Sequence, residues 1–344
     1  MVKSKSIKIH KNQTEHIRKQ LIELSLLNRK LKIIKNSKYA YLPIIKISDK
    51  TKQFLIVTKD FEQQKIKPDS YKDIIDIPDE QKDLLPTSFD IIGDIVLIKI
   101  PEELIEHKQK IGNALLDFNK NIITVAQINP VEGEYRTRTV EIIAGENKTI
   151  TIHKEYGAEF KIDVNNVYFS PRLANERIRI AGLVQTNETI IDMFTGVAPF
   201  PIIISKHAKP KKILAIDKNK QAIELARENI IKNKVDTKIK LLCEDSEKIK
   251  DISKENNIKP DRIIMNLPFS SIDFFEYALE IIEKKCTIHI YIILKEDEID
   301  DKINVLRNVA REKEIILENI KINKIKTYAP HEFYIGIDIT AKKK

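Results

Sequence analysis

A chain of 344 residues with 42% hydrophobic residues, 8 glycines and 13 prolines is long enough for two or three folded domains and too apolar to be disordered. Its net charge of +9 is unevenly placed: residues 1–60 hold 15 lysines and arginines against four acids, and the remainder of the chain sums to −2. A uniformly basic protein is thereby excluded; a small cationic module on a near-neutral body is what a grip on a phosphate backbone looks like, although an ordinary solvated face carries the same charge.

The first residues, MVKSKSIKIHKNQTEH, lack an apolar signal core, and the longest apolar stretch, around residues 189–204, is broken by Asp192 and too short to span a bilayer. A cytoplasmic protein without membrane contact is expected. Cys243 and Cys286 have no CxxC spacing and no histidine pair beside them, so both are expected as reduced core thiols, and no metal site is foreseen.

In chain order, SIKIHK alternates as a strand, and Ile17, Leu21 and Leu24 follow at helical spacing after the caps Asn12 and Thr14. KIIKNSKYAYLPII reads as two β runs around Asn36-Ser37, and the polar stretch at 58–73 as a linker closing a first module, 1–65. FDIIGDIVLIKI (89–100) is a strand pair or one long strand, followed by the amphipathic EELIEHKQKIGNALLDF. IITVAQI, GEYRTRTVEIIAG and KTITIHKEYGAEFKIDV, the last turning at Tyr156-Gly157, then complete a compact α+β module, 66–166.

From residue 167 onward the pattern becomes a regular alternation. A helix over LANERIRIAGLV leads to the strand TIIDMF and a helix through PIIISKHA. The strand KKILAID precedes a helix striped by Ala222, Ile223, Ala226 and Ile230. The strands KIKLLCED and DRIIMNLP, the helix SIDFFEYALEIIEKK, the strand TIHIYIILK, the helix DDKINVLRNVAREK and two final β runs come next. Such repeats predict an α/β fold with a doubly wound, mostly parallel sheet, its site at the C-terminal strand ends, and one antiparallel strand from the last hairpin.

Asp192, Asp217, Asp245 and Asn266 end or follow the first four strands of that sheet, so they are expected to converge on one cleft. One such residue alone is usually a turn or cap residue; four in register with a glycine turn are harder to assign to capping. The loop DMFTGVAPF has a single glycine, Gly196, which is too few to wrap a pyrophosphate. An acid such as Asp217 at the end of the second strand suits ribose hydroxyls. A nucleoside with a positive group and no phosphate fits both features, and S-adenosylmethionine has that chemistry.

VYFSPRLANERIRI, DMFTGVAPF, AIDKN and IIMNLPF, in this order and spacing, resemble the archaeal and eukaryotic tRNA (guanine-37)-N1-methyltransferases of three-domain archaeal type. The likeness extends to GEYRTR, AGENKTITIHKE and YAPHEFYI, and more loosely to LLNRKLKIIKNSKYAYLPI, and so covers most of the chain. It implies a class I, Rossmann-like methyltransferase domain at 167–344, preceded by an RNA-contacting domain and a basic tRNA-recognition domain in the two modules above. A monomer is expected, although no residue pattern speaks to the oligomeric state.

Guanine N1 is a poor nucleophile until its proton leaves, so a base near N1 and a donor near the 6-oxo group are needed. The resemblance implies Glu176 as that base, Arg136 as the oxo partner and Asn266 against the target base. Spacing alone would make Glu176 a surface carboxylate paired with Arg172, Arg177 or Arg179. For the cofactor it implies Arg177, Asp217 with Lys218, Asp245 with Ser246, and Asn266, with Tyr168, Asp192 and Gly196 as neighbours. Lys218 and Ser246 are expected to act through backbone groups. Arg136, Arg172, Pro268 and Phe269 are expected at the substrate, Phe269 either stacking on an extruded base or packing as a core residue.

Two departures stand out. Ala198 occupies the place of a second loop glycine, which restricts the backbone beside the cofactor. Leu267 interrupts the Asn/Asp-Pro-Pro turn of exocyclic-amine methyltransferases and argues against an amino-group target. Methylation of a wyosine precursor at the same nucleotide, and a non-catalytic RNA-binding protein of the same fold, remain as alternatives.

Overall fold

The computed structural model describes residues 1–64, 68–129 and 140–344, and the chain divides into two compact units, Met1–Asp73 and Ile74–Lys344. In the first unit, strands β1 (Val2–His10), β2 (Ile34–Lys35), β3 (Tyr39–Pro43) and β4 (Leu55–Phe61) form an antiparallel sheet in the order β2-β3-β1-β4. Alternation puts Ile7 and Ile9 on one face, where they meet Ile17 and Leu21, one turn apart on helix α1 (Thr14–Glu23). Leu24, expected in the same stripe, lies past the helix end and is exposed. Residues 58–61, expected to open a linker, are strand instead: β4 pairs with β1 from Leu55 to Phe61, and Phe61 is buried with Leu31 and Tyr41. The charges of Lys59 and Asp60 disguise a period-two pattern.

The second unit begins with a mixed sheet. Strands β5 (Phe89–Ile92) and β6 (Ile95–Ile98) are a hairpin through Gly93, where φ is +57° and an added Cβ would stand 2.6 Å from the Ile152 carbonyl oxygen. Strand β7 (Thr124–Ile128) runs parallel to β6, and β8 (Val140–Gly145) antiparallel to β7. Helix α2 (Lys108–Phe118) packs on β7 and β8. A separate hairpin, β9 (Ile150–Glu155) and β10 (Ala158–Asp163), turns at Tyr156-Gly157 as expected.

The remaining chain builds a seven-stranded sheet from β11 (Thr189–Asp192), β12 (Lys212–Asp217), β13 (Ile239–Cys243), β14 (Arg262–Met265), β15 (Lys285–Lys295), β16 (Ile315–Ala329) and β17 (Glu332–Lys343). Its order is β13-β12-β11-β14-β15-β17-β16, and β17 alone is reversed. Successive residues face opposite sides: Ile190, Ile213, Ala215 and Ile264 join one core, and Ile191, Leu214, Ile216 and Met265 the other. Helices α3 (Ala174–Leu183), α4 (Pro199–His207) and α5 (Lys220–Lys232) cover the first face, and α6 (Ile249–Glu255), α7 (Phe275–Glu280) and α8 (Ile299–Glu312) the second.

Three expectations need correction. Helix α6 was not foreseen, because the charged run KIKDISKEN hides its buried pair Ile249 and Ile252. Helix α7 is shorter than the apolar stretch suggested: Ser270, Ser271 and Asp273 are spent in turns closed on the Leu267 and Ser270 carbonyls. Cys286 is buried, but Cys243, at the end of the edge strand β13, is exposed rather than a core thiol. No helix among the described residues is long and apolar enough to cross a membrane.

Candidate active site

A cavity of about 350 Å³ opens at the C-terminal ends of β11 to β14, lined by the loop after each strand, from Met193 through Asp217 and Glu244 to Leu267. Crevices at this edge of a doubly wound sheet are where such folds bind ligands. Asp217, Glu244 and Asp245 give it an acidic floor, while Phe194 and Phe274, edge to face at 5.0 Å, supply apolar wall.

The loop after β11 is pinned across its neighbours. Met193 donates its N–H to Ile264 O at 3.0 Å, Thr195 donates to Ile216 O at 2.8 Å, and Ser246 Oγ donates to Met193 O at 2.5 Å. Gly196 takes φ +54° and donates its N–H to Asp217 Oδ2 at 2.7 Å, while Asn219 N–H reaches Oδ1 at 2.9 Å. The carboxylate of Asp217 is thus oriented by two amides with lone pairs to spare, and burial raises its pKa. Ala198 adopts φ +65°, ψ 40°, fully buried at the start of α4. This left-handed conformation costs a non-glycine residue about 1–2 kcal/mol, so the missing glycine is tolerated, not irrelevant.

Asp192 ends β11 but does not line the cavity; it is buried, its Oδ1 accepting from Phe194 N–H at 3.4 Å and its Oδ2 without a hydrogen-bond partner among the described residues. Burial, with the nearby charge of Asp217, pushes its carboxyl up to about 7. An acid with a folded pKa above its unfolded value of 3.8 contributes most while both states are protonated, and that contribution is lost as pH rises through about 7. Asp192→Asn removes this loss. Urea melts of the two proteins are expected to coincide near pH 4 and to separate by up to about 4 kcal/mol at pH 8, the variant being more stable. Parallel curves across that range would mean that the carboxyl ionises freely inside the fold.

The opposite wall carries Tyr168 and Arg177. Arg177 is 1% exposed; its Nε and Nη2 donate to both oxygens of buried Glu155 at 2.6 and 2.7 Å, Nη2 also reaches Ser170 O at 3.0 Å, and the guanidinium lies 4.9 Å from the Phe169 ring centre. Lys218, Asp245 and Asn266 line the cavity. Ser246 lines it too, but its hydroxyl is committed to the Met193 carbonyl. Asn266 Oδ1 accepts from the Tyr334 hydroxyl, and the following turn buries Pro268, whose carbonyl accepts from Ile293 N–H at 3.1 Å, while Phe269 projects at the rim.

Glu176 is not among the cavity-lining residues. It is 5% exposed and binds Arg179 through both oxygens at 2.7 Å, and Oε1 accepts from the buried Tyr291 hydroxyl at 2.8 Å. Arg179 also donates to Asp338 at 2.8 and 3.1 Å. His289 sits beyond, donating Nδ1–H to Asp338 at 2.6 Å and accepting at Nε2 from Arg262 at 2.6 Å, a neutral ring held by burial below its ordinary pKa. Arg262 ends the network on Glu188 at 2.8 and 3.0 Å. Burial opposes ionisation of Asp338, but His289 and Arg179 outweigh it and hold the carboxyl well below the usual range. Arg172 is exposed and tied to Asp90 at 2.5 Å and Ser88 at 2.8 Å, away from the cavity lining. Arg136 lies outside the described residues. Glu155, Tyr291 and Tyr334 were missed; Glu155 and Tyr334 sit in KTITIHKE and HEFYI, stretches singled out above without those residues.

A sheet of six parallel strands and one antiparallel strand in this order, with an acidic crevice at its strand ends, is a class I, Rossmann-like methyltransferase fold. Family models match along the chain: the TRM5/TYW2 methyltransferase domain at 151–318, the TYW2 N-terminal domain at 71–149 and the tRNA methyltransferase 5 N-terminal domain at 6–52. The chain is 39% identical to the tRNA (guanine(37)-N(1))-methyltransferase Trm5b of Pyrococcus abyssi, over 97% of this chain and 98% of that one. It is 37% identical to the Trm5b of Methanocaldococcus jannaschii, over 98% and 99%. It therefore belongs to the Trm5/TYW2 methyltransferase family. Among solved structures, Trm5b from Pyrococcus abyssi superposes with a TM-score of 0.78 at 38% identity, covering 98% of this chain and 99% of that one. A complex of aTrm5 with tRNALeu gives 0.71 at 36%, over 98% and 99%, and Methanocaldococcus jannaschii Trm5 with adenosine 0.65 at 34%, over 99% and 100%.

Proposed function

We infer that this chain transfers the methyl group of S-adenosylmethionine to N1 of guanine 37 in tRNA, next to the anticodon. The observation that carries the reading is likeness along nearly the whole chain to tRNA (guanine(37)-N(1))-methyltransferases, joined to a cavity that suits a cationic nucleoside. Relatives named for 4-demethylwyosine at the same position share 29–32% identity over only 72–78% of the chain, which favours guanine as the target. The match of residues 6–52 to a tRNA methyltransferase 5 N-terminal domain points the same way.

When bound, the cofactor supplies an electrophilic methyl on a sulfonium. Asp217 would take the ribose hydroxyls and Asp245 the adenine amino group, with Tyr168, Arg177, Gly196 and the backbone at Lys218 and Ser246 completing the cradle. Asp192 supports that loop from below. Asn266, fixed by Tyr334, faces the target base with Pro268 and Phe269 at the turn; Glu176 accepts the N1 proton as the methyl arrives, and Arg136 offsets charge on the 6-oxo group. Arg172 acts on the substrate from the β5 side. We assign 1–65 to tRNA recognition, 66–166 to RNA contact and 167–344 to methyl transfer. In the first of these, Lys8 and Lys59 already stand over the Tyr39 and Tyr41 rings, at 4.0 and 4.2 Å, in a strongly basic surface. The enzyme acts as a cytoplasmic monomer.

Incubating tRNA with labelled cofactor and mapping the methylated nucleotide by mass tests the reading directly. Label on N1 of guanine 37, lost when adenosine replaces it, is the expected result; label only on a wyosine-precursor tRNA would move the substrate to the tricyclic base. Asp217→Asn is expected to weaken cofactor binding about tenfold or more in calorimetry, because two charge-assisted ribose contacts become neutral ones. Unchanged affinity would take Asp217 out of the ribose site.

A further inference from the structure

The edge strand β16 pairs irregularly with β17: the register slips between Glu318 and Lys321, Lys324 and Lys326, and Thr327 and Ala329. In the last two slips Ile325 and Tyr328 are the extra residues, with no partner opposite. Bulges bend a strand, re-aim its side chains and gather next to active sites. Ile325 turns inward, its Cδ1 lying 3.2 Å from where a Cβ on Gly336 would stand. Lys326 Nζ reaches Ser170 Oγ at 3.2 Å and stands 5.2 Å from the Tyr334 ring centre. Tyr328 turns outward and meets Phe269, at the cavity rim, with ring centres 5.8 Å apart and planes at 76°.

Both rings are heavily exposed, Phe269 at 56% and Tyr328 at 49%. Lysines on an edge strand serve to repel other strands, but that purpose gives no reason to aim a tyrosine at the cavity rim. The angle between the rings is informative. Two parallel rings would sandwich one base; two near-perpendicular rings offer faces to two bases whose planes differ. Extrusion takes the target off the stack and leaves its neighbour with one bare face.

We propose that Tyr328 is a stacking platform for the nucleobase adjoining the extruded guanine, beside Phe269 for the target itself, so that β16 replaces the stacking the RNA loses. The proposal rests on the tRNA reading above. One base–aromatic stack is worth about five- to a hundredfold in affinity, and every base has a face to offer.

The test uses the full chain with tRNA carrying 2-aminopurine at either nucleotide flanking guanine 37, and a second set carrying an abasic site there. Wild type is expected to quench the probe at one flank, and Tyr328→Ala to lose that quench together with about five- to a hundredfold in kcat/KM, cofactor affinity and melting being unchanged. Tyr328→Phe, which keeps the ring, retains both. An abasic flank costs wild type the same factor and costs Tyr328→Ala nothing further. Retained quench in Tyr328→Ala, or losses from variant and abasic site that multiply, would overturn the proposal. If wild type leaves guanine 37 unmethylated, the reading above fails, while the quench comparison still decides the role of Tyr328.

Discussion

Replacing Glu176 with glutamine is expected to lower turnover by about 10²–10⁴-fold, the usual contribution of a positioned general base, with little change in cofactor affinity. Glutamine keeps the size of the side chain but cannot take the N1 proton. Cofactor affinity should hold because Glu176 does not line the cavity. A base has to come within about 3 Å of the proton it removes, and contacts of this kind often tighten only when substrate is bound. For Glu176 that movement would break its bonds to Arg179 and to the Tyr291 hydroxyl. Arg179 is shared between Glu176 and Asp338, so if Glu176 swings toward guanine the cation stays paired with the second carboxylate. Measured turnover equal to wild type would remove Glu176 from the proton transfer. A collapse in melting temperature without a separate loss of turnover in the folded fraction would leave it only a structural part of the Arg179 network.

The largest effect on stability is expected at Glu155. Its carboxylate and Arg177 are 4% and 1% exposed and meet through two bonds. Glu155→Ala leaves a buried guanidinium with the Ser170 carbonyl and the Phe169 ring as its remaining partners. Removing one member of a buried pair costs about 3–5 kcal/mol, on the order of ten degrees in melting temperature for a unit of this size. Cofactor affinity should fall as well, since Arg177 forms part of the cavity wall. Replacing both residues by methionine restores much of the stability, because no stranded charge remains, but not the affinity. An unshifted melting curve for Glu155→Ala would mean that water reaches the guanidinium and the pair is not truly desolvated.

These two residues also mark where sequence reasoning ended. Asp217, Asp245 and Asn266 were legible at the cavity because a strand–helix alternation places strand ends at one edge, whatever the details of packing. Asp192 ends a strand in the same way, yet it faces the core, since the path of the next turn decides which end residue reaches the opening. Glu155 was illegible as a partner for Arg177, because a hairpin brings them together across 22 residues. Tyr291 and Tyr334 lie within apolar strands and read as core; both are core, and each also spends its hydroxyl on a polar side chain, Glu176 and Asn266 respectively. The letter at Ala198 was visible, but its left-handed backbone was not. The family resemblance supplied Glu176 as the proposed base; spacing foresaw an arginine partner but not the burial that makes the pairing matter.

The irregularity of β16 has an effect beyond the site. A long, flat edge strand is a template on which a second copy of a sheet can extend itself, hydrogen bond by hydrogen bond. Here each bulge puts the spacing of amide and carbonyl groups out of step, and the exposed Lys321 and Lys324 put a positive charge on each face of the strand. A second chain laid along it would lose register within a few residues and bring like charges together. The distortion that turns Tyr328 toward the cavity thus also keeps this long β edge from seeding aggregates at high protein concentration.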